Sequence, residues 1–258
     1  MAAYRLDAWL AEHYDLPLDI VQSYILRGHA LVNGSRGKAG QSIRPERDRI
    51  EFHPPDSVRN RGTHKIGPAL DALAARGQSV QGRICLDVGA SHGGFSRALL
   101  DRGARRIYAI DVAYGIFDFE LRRSEQIVLL ERKNIKDIAD DWFDPPFYEA
   151  GELFIVCDVS FISLLPVLRA LRSFLERHGL QADGLFLLKH QFESPESTDA
   201  GVIRDDHLRV SIEEATLDKI AGLGWMHDGS YPSGLPGRRG NQETFLWLSL
   251  PASNKSQK

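Results

Sequence analysis

The feature that most constrains the fold is an alternation of apolar strand-like runs with helical segments from Lys65 to Leu250. Such alternation is typical of a mostly parallel sheet covered by helices on both faces. The predicted strands are RICLDV, RIYAIDV, QIVLLER, LFIVCDV, GLFLLKH, a run near WMHDGSY, and TFLWLSL. The predicted helices are KIGPALDALAAR and residues 94–102, 164–177 and 206–223. Right-handed crossovers then predict a doubly wound α/β sheet with its ligand crevice beyond the carboxyl ends of the strands.

The first 53 residues follow a different pattern. Apolar residues recur at three- and four-residue spacing on either side of LPLD, which predicts two short helices. HALVNG predicts a strand ending in an Asn-Gly turn, and RDRIEFH predicts a returning strand. We therefore divide the chain into a small N-terminal α+β domain (1–53), a polar, proline-bearing linker (54–64), a large domain (65–250) and a disordered tail (251–258).

The charge of the chain is unevenly distributed. The net charge of −3 taken alone argues against a nucleic-acid partner. From Arg27 to Lys65, however, nine basic residues accompany only four acidic ones, a local excess of five positive charges. Because a polyanion responds to local charge, this segment predicts a nucleic-acid contact in the small domain.

The cysteines and the N-terminus indicate a cytoplasmic protein. Cys85 and Cys157 each lie in an apolar strand-like run, as expected of buried free thiols, and two distant cysteines alone build no zinc site. The N-terminal stretch carries charges inside its apolar part and does not match a secretory signal. No run approaches the roughly 18 apolar residues of a membrane span. We therefore expect no metal and no integral membrane association.

The stretch DVGASHGGF follows a predicted strand and opens a helix, a context in which glycines let a ligand approach the backbone. Its G-x-x-x-G-G spacing matches neither a dinucleotide fingerprint nor a P-loop. Asp87 ends the strand and can hold a cationic amine, while Asp111, 24 residues on, is placed to grip ribose hydroxyls. A ligand that carries an amine, a carboxylate and a ribose matches S-adenosylmethionine. The alternative is that both acids only cap turns.

Three further strand ends carry ionisable groups next to apolar runs: Asp158, Lys189 and Glu243. Buried charges are costly unless they meet one another, so we expect these groups to converge in the crevice, within reach of Lys65. A partly desolvated lysine beside another cation has its neutral form favoured, which suits Lys189 to act as a general base on an alcohol. The alternative is a purely structural ion-pair cluster.

The motifs resemble a known family as an ordered set. RLDAWLAEHY…SYILRGHALVNGSRGKAGQSI resembles the S-four RNA-binding module. DVGASHGGFSRALLDRGARRIYAIDVAYG, LLERKNI, CDVSFISL, LKHQFE and GNQETFLWL resemble the TlyA family. The resemblance spans residues from about 4 to 250 and implies a Rossmann-like class I methyltransferase of the FtsJ type, acting on a ribose 2′-hydroxyl of ribosomal RNA.

The resemblance also implies site residues. The Lys-Asp-Lys-Glu tetrad of FtsJ-like enzymes corresponds to Lys65, Asp158, Lys189 and Glu243. The expected S-adenosylmethionine site comprises Asp87, Gly89, Ser91, Gly93, Gly94, Phe95, Asp111 and Asn134. The expected RNA contacts are Arg5, Arg27, Asn33, Arg36, Lys38 and Arg44. In the implied mechanism Lys189 takes the proton, Asp158 and Glu243 hold the lysines, and Lys65 stabilises the alkoxide or helps to depress the pKa of the base.

Two departures from the family pattern and two alternative functions accompany this interpretation. His190 stands where the family usually has proline, which predicts a looser turn beside Lys189, and Thr244 stands where an aromatic residue or leucine is common. One alternative is a non-catalytic RNA- or ribosome-binding protein. The other is a membrane-active, haemolysin-like protein. RNA rather than DNA is expected because only RNA carries the 2′-hydroxyl; the partner is ribosomal RNA or a ribosomal subunit, with no oligomeric state specified.

Overall fold

A computed structural model describes residues 3–14, 16–53, 61–237 and 240–251. Most of the predicted linker (54–60) and nearly all of the predicted tail (252–258) lie outside the described residues. The division into two domains therefore stays a prediction. The helices and strands before residue 54 and after residue 60 can be compared with the predicted ones.

The N-terminal part contains short helices and strands, as the sequence predicts. Its elements are β1 (Tyr4–Arg5), α1 (Leu6–His13), α2 (Leu18–Leu26), β2 (Ala30–Val32), β3 (Ser35–Arg36), β4 (Ser42–Ile43) and β5 (Ile50–Phe52). β2 pairs antiparallel with both β3 and β5, and β1 pairs with β4. Asn33 and Gly34 adopt φ values of 53° and 78° at the β2–β3 turn. Positive φ at both central residues is what tight hairpins require, so the Asn-Gly signal is confirmed.

The remaining elements form the large sheet and its covering helices. The strands are β6 (Ile84–Val88), β7 (Arg106–Asp111), β8 (Ile127–Glu131), β9 (Glu152–Cys157), β10 (Gln181–Leu188), β11 (Met226–Pro232) and β12 (Thr244–Leu250). The helices are α3 (Arg61–Ala75), α4 (Gly94–Leu100), α5 (Phe119–Arg122), α6 (Pro145–Tyr148), α7 (Leu164–His178), α8 (His190–Glu193) and α9 (Asp206–Gly222), with short 3₁₀ turns at Ile135–Asp137, Asp140–Trp142 and Pro195–Ser197.

The sheet is mostly parallel, which confirms the predicted fold class. Its strand order is β11-β12-β10-β9-β6-β7-β8. The five adjacent strands β10, β9, β6, β7 and β8 are parallel to one another. Strand β12 runs antiparallel to both of its neighbours, β10 and β11. The chain proceeds in one direction from β6 and returns to the other side of it with β9. The topological switch point therefore lies between β6 and β9, where a doubly wound sheet binds its ligand.

The central strands are buried on both faces because helices cover both. Every residue of β6 is buried, and β9 is buried from its second residue onward. Cys85 and Cys157 are free, buried thiols, as predicted, and burial raises the pKa of Cys85 to about 12. No helix of the described residues is long and apolar enough to cross a membrane.

Helix α3 begins at Arg61, four residues before the predicted start, so Lys65 lies inside the helix and not before it. Two glycines explain the difference. A Cβ added to Gly62 would lie 2.9 Å from the Cα of Gly94. The absence of side chains thus lets the first turn of α3 pack directly on the first turn of α4. This contact fixes Lys65 over the sheet.

The N-terminal part packs against the large sheet. Ala113 and Ile116, which follow β7, belong to the same apolar cluster as the small-domain residues. The Ile50 amide donates to the Tyr114 carbonyl at 3.0 Å, and the Ser91 hydroxyl donates to the carbonyl of His13 at 3.0 Å. The N-terminal part is therefore anchored beside the switch point.

Candidate active site

A cavity of about 380 Å³ opens at the carboxyl ends of the parallel strands. Its lining comes from the turns after β6, β7, β8, β9 and β10, from α3, and from the N-terminal part. The lining residues are Tyr4, Trp9, Glu12, His13, Pro45, Glu46, Lys65, Val88, Gly89, Ser91, Ile110, Asp111, Val112, Lys133, Asn134, Ile135, Lys136, Asp158, Val159, Ser160, Phe161, Ile162 and Lys189. This volume is within the range of small-molecule sites.

The glycine bend after β6 forms the floor of this cavity. Gly89 lines it with a φ of +83°, and an added Cβ would lie 2.4 Å from the carbonyl oxygen of Asp158. Gly93 adopts a φ of +92°, and a Cβ there would lie 2.5 Å from Leu121 Cδ1. Gly89 therefore allows the β6 and β9 turns to touch, while Gly93 serves packing beneath α4.

Gly89→Ala is expected to weaken binding of S-adenosylmethionine about tenfold or more, because it adds left-handed backbone strain and forces the Asp158 backbone away. Isothermal titration with S-adenosylhomocysteine measures the loss. Gly151→Ala is the matched control, since Gly151 has a φ of +70° and nothing within 4 Å of an added Cβ. Equal donor affinity in Gly89→Ala and in the control would contradict the assignment of the bend.

Asp111 lies in the cavity wall with its carboxylate already engaged. Oδ2 accepts from the Ser91 amide at 2.7 Å and lies 3.4 Å from His13 Nε2, and Oδ1 accepts from the Ala113 amide at 2.8 Å. Burial pushes the pKa of Asp111 upward, but His13 and the two amides outweigh it, so the pKa is lowered. Asp111 is thus an ionised acceptor at the edge of the cavity.

Asp87 occupies a different place from the one the sequence suggests. Its side chain is fully buried, is absent from the cavity wall, and accepts from the Ser96 hydroxyl at 2.6 Å. Burial raises the pKa of Asp87 to about 7. In this structure Asp87 Oδ2 braces the start of α4 from behind the bend, and its predicted contact with an amine stays a prediction.

The remaining expected donor residues lie around the same turns. Ser91 and Asn134 line the main cavity, and the Asn134 side chain also accepts from the Lys136 amide at 3.1 Å. Gly94 and Phe95 line a smaller adjoining cavity that also contains Gly89. Gly89 and Ser91 line both cavities, so the two adjoin at the glycine bend.

The four predicted tetrad residues meet at one point. Lys65 Nζ lies 3.2 Å from Asp158 Oδ2 and 2.8 Å from Glu243 Oε2, and Lys189 Nζ lies 2.9 Å from Asp158 Oδ1. Both lysine side chains are at most 7% exposed. The predicted convergence is therefore present: Asp158 bridges the two lysines, and Glu243 holds Lys65 from the other side.

The electrostatics of this cluster differ from the expectation in one respect. Burial alone would lower the pKa of Lys189, and Lys65 acts in the same direction, but the carboxylates of Asp158, Glu243 and Glu12 together outweigh both and the pKa is raised. The pKa of Asp158 is lowered by the two lysines against the opposing effect of burial. Lys65 thus lowers the pKa of Lys189, as expected, but the net shift is upward because the surrounding carboxylates act against it.

The turn that carries Lys189 is held on both sides. Lys189 Nζ donates to the Ser160 hydroxyl at 2.7 Å. The Phe192 amide donates to the Lys189 carbonyl at 2.8 Å, and the Ser194 amide donates to the His190 carbonyl at 3.1 Å. The His190 side chain is 1% exposed and faces Glu213. The ring of His190 thus has a polar neighbour beside the turn, and the expectation that His190 loosens this turn stays a prediction.

Several cavity residues escaped the sequence interpretation. Trp9 and His13 stack at 4.1 Å between ring centroids on one face of α1, and Glu12 lies beside them. Their one-turn spacing is visible in the sequence, but nothing local shows that this face meets the large sheet. Ser160 was detectable, because it follows Asp158 by two residues in CDVS.

The six expected RNA-contacting residues are exposed on the N-terminal part, and the side chains of three of them form hydrogen bonds within it. Arg5 forms a two-pronged pair with Asp7 at 3.1 and 2.8 Å, and Arg36 donates to the Leu26 carbonyl. The Asn33 amide spans the Asp48 carboxylate and the Arg49 amide, so it holds its own turn. The other three, Arg27, Lys38 and Arg44, are exposed cations.

Comparison with known proteins identifies the family. Residues 58–250 match the FtsJ-like methyltransferase family model. The chain is 42% identical over 192 residues to the 16S/23S rRNA (cytidine-2′-O)-methyltransferase TlyA of Mycobacterium tuberculosis, covering 73% of this chain and 67% of the relative. It is 34% identical to Hemolysin A of Brachyspira hyodysenteriae, covering 93% and 97%.

A solved structure from Streptococcus thermophilus, named as a hemolysin, has 26% identity and a TM-score of 0.64 and covers 99% of this chain and 92% of its own. The cavity fits the donor that this family uses. Its wall contains both a glycine bend, which an added Cβ would obstruct, and the ionised carboxylate of Asp111. The chain belongs to the TlyA group of FtsJ-like methyltransferases and uses S-adenosylmethionine as its methyl donor.

Proposed function

We propose that the protein methylates a ribose 2′-hydroxyl of ribosomal RNA, with cytidine as the target nucleoside. The relatives from Mycobacterium tuberculosis and Campylobacter jejuni are named for this reaction. The structural observation that carries the proposal is the convergence of Lys65, Asp158, Lys189 and Glu243 at the wall of the donor cavity. A cytoplasmic setting is part of the same proposal.

The tetrad has the parts that transfer to an alcohol requires. When bound, S-adenosylmethionine supplies a methyl group on a positively charged sulfur. Lys189 accepts the proton of the 2′-hydroxyl, and Asp158 with Ser160 keeps its amine pointed at the cavity. Lys65, held by Asp158 and Glu243, is the fixed positive charge that stabilises the developing alkoxide.

The raised pKa of Lys189 has a kinetic consequence. Only the neutral amine can accept a proton, and a raised pKa leaves Lys189 an ammonium at neutral pH. A positive charge in the adjoining cavity favours the neutral amine, because like charges disfavour protonation. Lys189 therefore becomes a base most readily in the donor-bound enzyme.

We accordingly expect the single-turnover rate of methyl transfer to rise with pH, by about tenfold per unit from pH 6.5 to 8.5, because the deprotonated fraction of Lys189 grows in that proportion. Quenched-flow assays with donor and RNA at saturation measure this slope. A rate that is flat or falls over this interval would contradict a lysine base. A residual rate in Lys189→Ala should show no such slope.

The small domain is the proposed RNA-holding part. Arg27, Lys38 and Arg44 are exposed cations on it, and phosphate contacts of this kind position RNA with little reading of sequence. Its α1 helix also borders the donor cavity. The proposed substrate would thus be held next to the tetrad.

The deciding experiment incubates the full chain with tritiated S-adenosylmethionine and unmethylated small and large ribosomal subunits, followed by mapping of the labelled nucleotide. Label at a 2′-oxygen of cytidine supports the proposal. RNA binding without any incorporation would instead indicate a non-catalytic binding protein. Lysis of erythrocytes by the purified chain, with no incorporation, would indicate a membrane-active protein.

A further inference from the structure

His190 contacts the carboxylate of Glu213 on α9, and Thr244, the other position that departs from the pattern the resemblance implies, lies close to the same side chain. His190 Nε2 lies 3.4 Å from Glu213 Oε2, and the Ser230 hydroxyl donates to Glu213 Oε1 at 3.1 Å. The pKa of Glu213 is lowered, chiefly by its hydrogen bond with His190 and further by hydrogen bonds with Ser230 and Thr244, while burial opposes them. We call His190, Glu213, Ser230 and Thr244 the Glu213 cluster.

The Glu213 cluster adjoins two members of the tetrad. His190 directly follows Lys189, and Thr244 directly follows Glu243. Thr244 is also the strand partner of Leu188, the residue before Lys189, in the antiparallel β10–β12 pair. The Glu213 carboxylate therefore contacts the residue after Lys189 directly, and it reaches the strand that follows Glu243 through Ser230 on β11, which pairs with Leu246 of β12.

The backbone explains why such a connection is needed at position 190. His190 is the first residue of α8, a position that proline favours because its fixed φ suits the helix and its missing N–H has no intrahelical partner. Lys189 has φ −113° and ψ 95°, close to the extended region in which a residue before proline lies. Histidine imposes neither restriction. Its ring, 1% exposed and facing Glu213, supplies a restraint from the side chain instead.

We propose that the Glu213 cluster is a positioning device that holds Lys189 and Glu243 in register, with the His190–Glu213 contact replacing the rigidity of a proline ring. Its kinetic effect rests on the proposed methyl transfer. Its structural effect is independent of methyl transfer. That effect is the protection of the Phe192 and Ser194 amides, which donate to the carbonyls of Lys189 and His190.

The kinetic test compares Glu213→Ala with Glu214→Ala, an exposed neighbour on the same helix. We expect Glu213→Ala and His190→Ala to lower kcat by about tenfold to a hundredfold, as small misplacements of reacting groups do, with donor KM changed less than about twofold. His190→Pro should recover much of the rate that His190→Ala loses. In the His190→Pro background, Glu213→Ala should cost less than about threefold, because the tether is no longer needed.

The second readout is amide hydrogen exchange in the full chain without RNA or donor. Glu213→Ala should speed exchange at Phe192 and Ser194, whereas Glu214→Ala should not. Faster exchange in a protein whose wild type transfers no methyl group would refute the proposed function and support the positioning device. Unchanged exchange, or an equal loss of kcat from Glu213→Ala in the wild-type and His190→Pro backgrounds, would overturn the positioning device.

Discussion

Replacing Lys189 with alanine is expected to lower kcat for RNA methylation by about 10²- to 10⁴-fold, the usual contribution of a positioned general base. The Lys189 amine lies in the cavity wall, 2.9 Å from Asp158 and 2.7 Å from the Ser160 hydroxyl, so no neighbouring amine can take its place without moving. Donor affinity should change by less than about threefold, because the removed group acts in the transition state. Single-turnover kinetics and donor titration measure the two quantities.

Lys189→Arg distinguishes two roles of Lys189, that of a general base and that of a fixed positive charge. Arginine can keep an ion pair with Asp158 but does not lose its proton in proteins. We therefore expect Lys189→Arg to be as inactive as Lys189→Ala, while Lys219→Ala, at an exposed position on α9, keeps full activity. An active Lys189→Arg enzyme would mean that the site needs only a positive charge at this position.

Asp158→Asn is expected to reduce the free energy of unfolding by about 3 kcal/mol, since removal of one partner leaves buried charge uncompensated. Asp158 contacts Lys65 at 3.2 Å and Lys189 at 2.9 Å, and asparagine leaves Lys189 without this carboxylate while Glu243 still holds Lys65. Urea denaturation at pH 7 measures the loss, and kcat should fall with it because Lys189 loses its orienting partner.

The pH dependence of stability has a definite sign. The pKa of Asp158 is lowered in the folded protein, so its stabilisation is present above its unfolded pKa of about 3.9 and is lost as the pH falls toward the lower folded value. Asp158→Asn should therefore lose more stability at pH 7 than at pH 3. Asp137→Asn, at an exposed site, is the control. Equal stability of Asp158→Asn and wild type at pH 7 would contradict a stabilising role of the Asp158 ion pairs.

The tetrad was predictable because strand geometry is local. An apolar run that ends in Asp158 or Lys189 places a charge at the carboxyl edge of a parallel sheet, and burial obliges such charges to pair. Asp87 shows where this reasoning fails. It lies on the same face of the sheet as Asp158, but it stands opposite Val156, two residues before the level of Asp158, so its side chain is enclosed and bonds Ser96 beneath the bend.

Other parts of the site depend on contacts between distant segments. His13 meets Asp111 only because α1 packs beside the sheet, and His190 is anchored only because α9 presents Glu213 to it. Periodicity and turn chemistry describe one segment at a time. The same limit explains the early start of α3, which depends on the approach of Gly62 to Gly94.

The position of α1 has a consequence for the order of events. Trp9, Glu12 and His13 belong to the proposed RNA-holding part but form one wall of the donor cavity. Any shift of α1 on RNA capture would alter the affinity for the donor, and thermodynamic reciprocity would then require the donor to alter the affinity for RNA by the same factor. A single helix would thereby couple the two binding equilibria. Occupancy of the donor cavity would change the affinity for RNA, and bound RNA would change the affinity for the donor, without a further binding site.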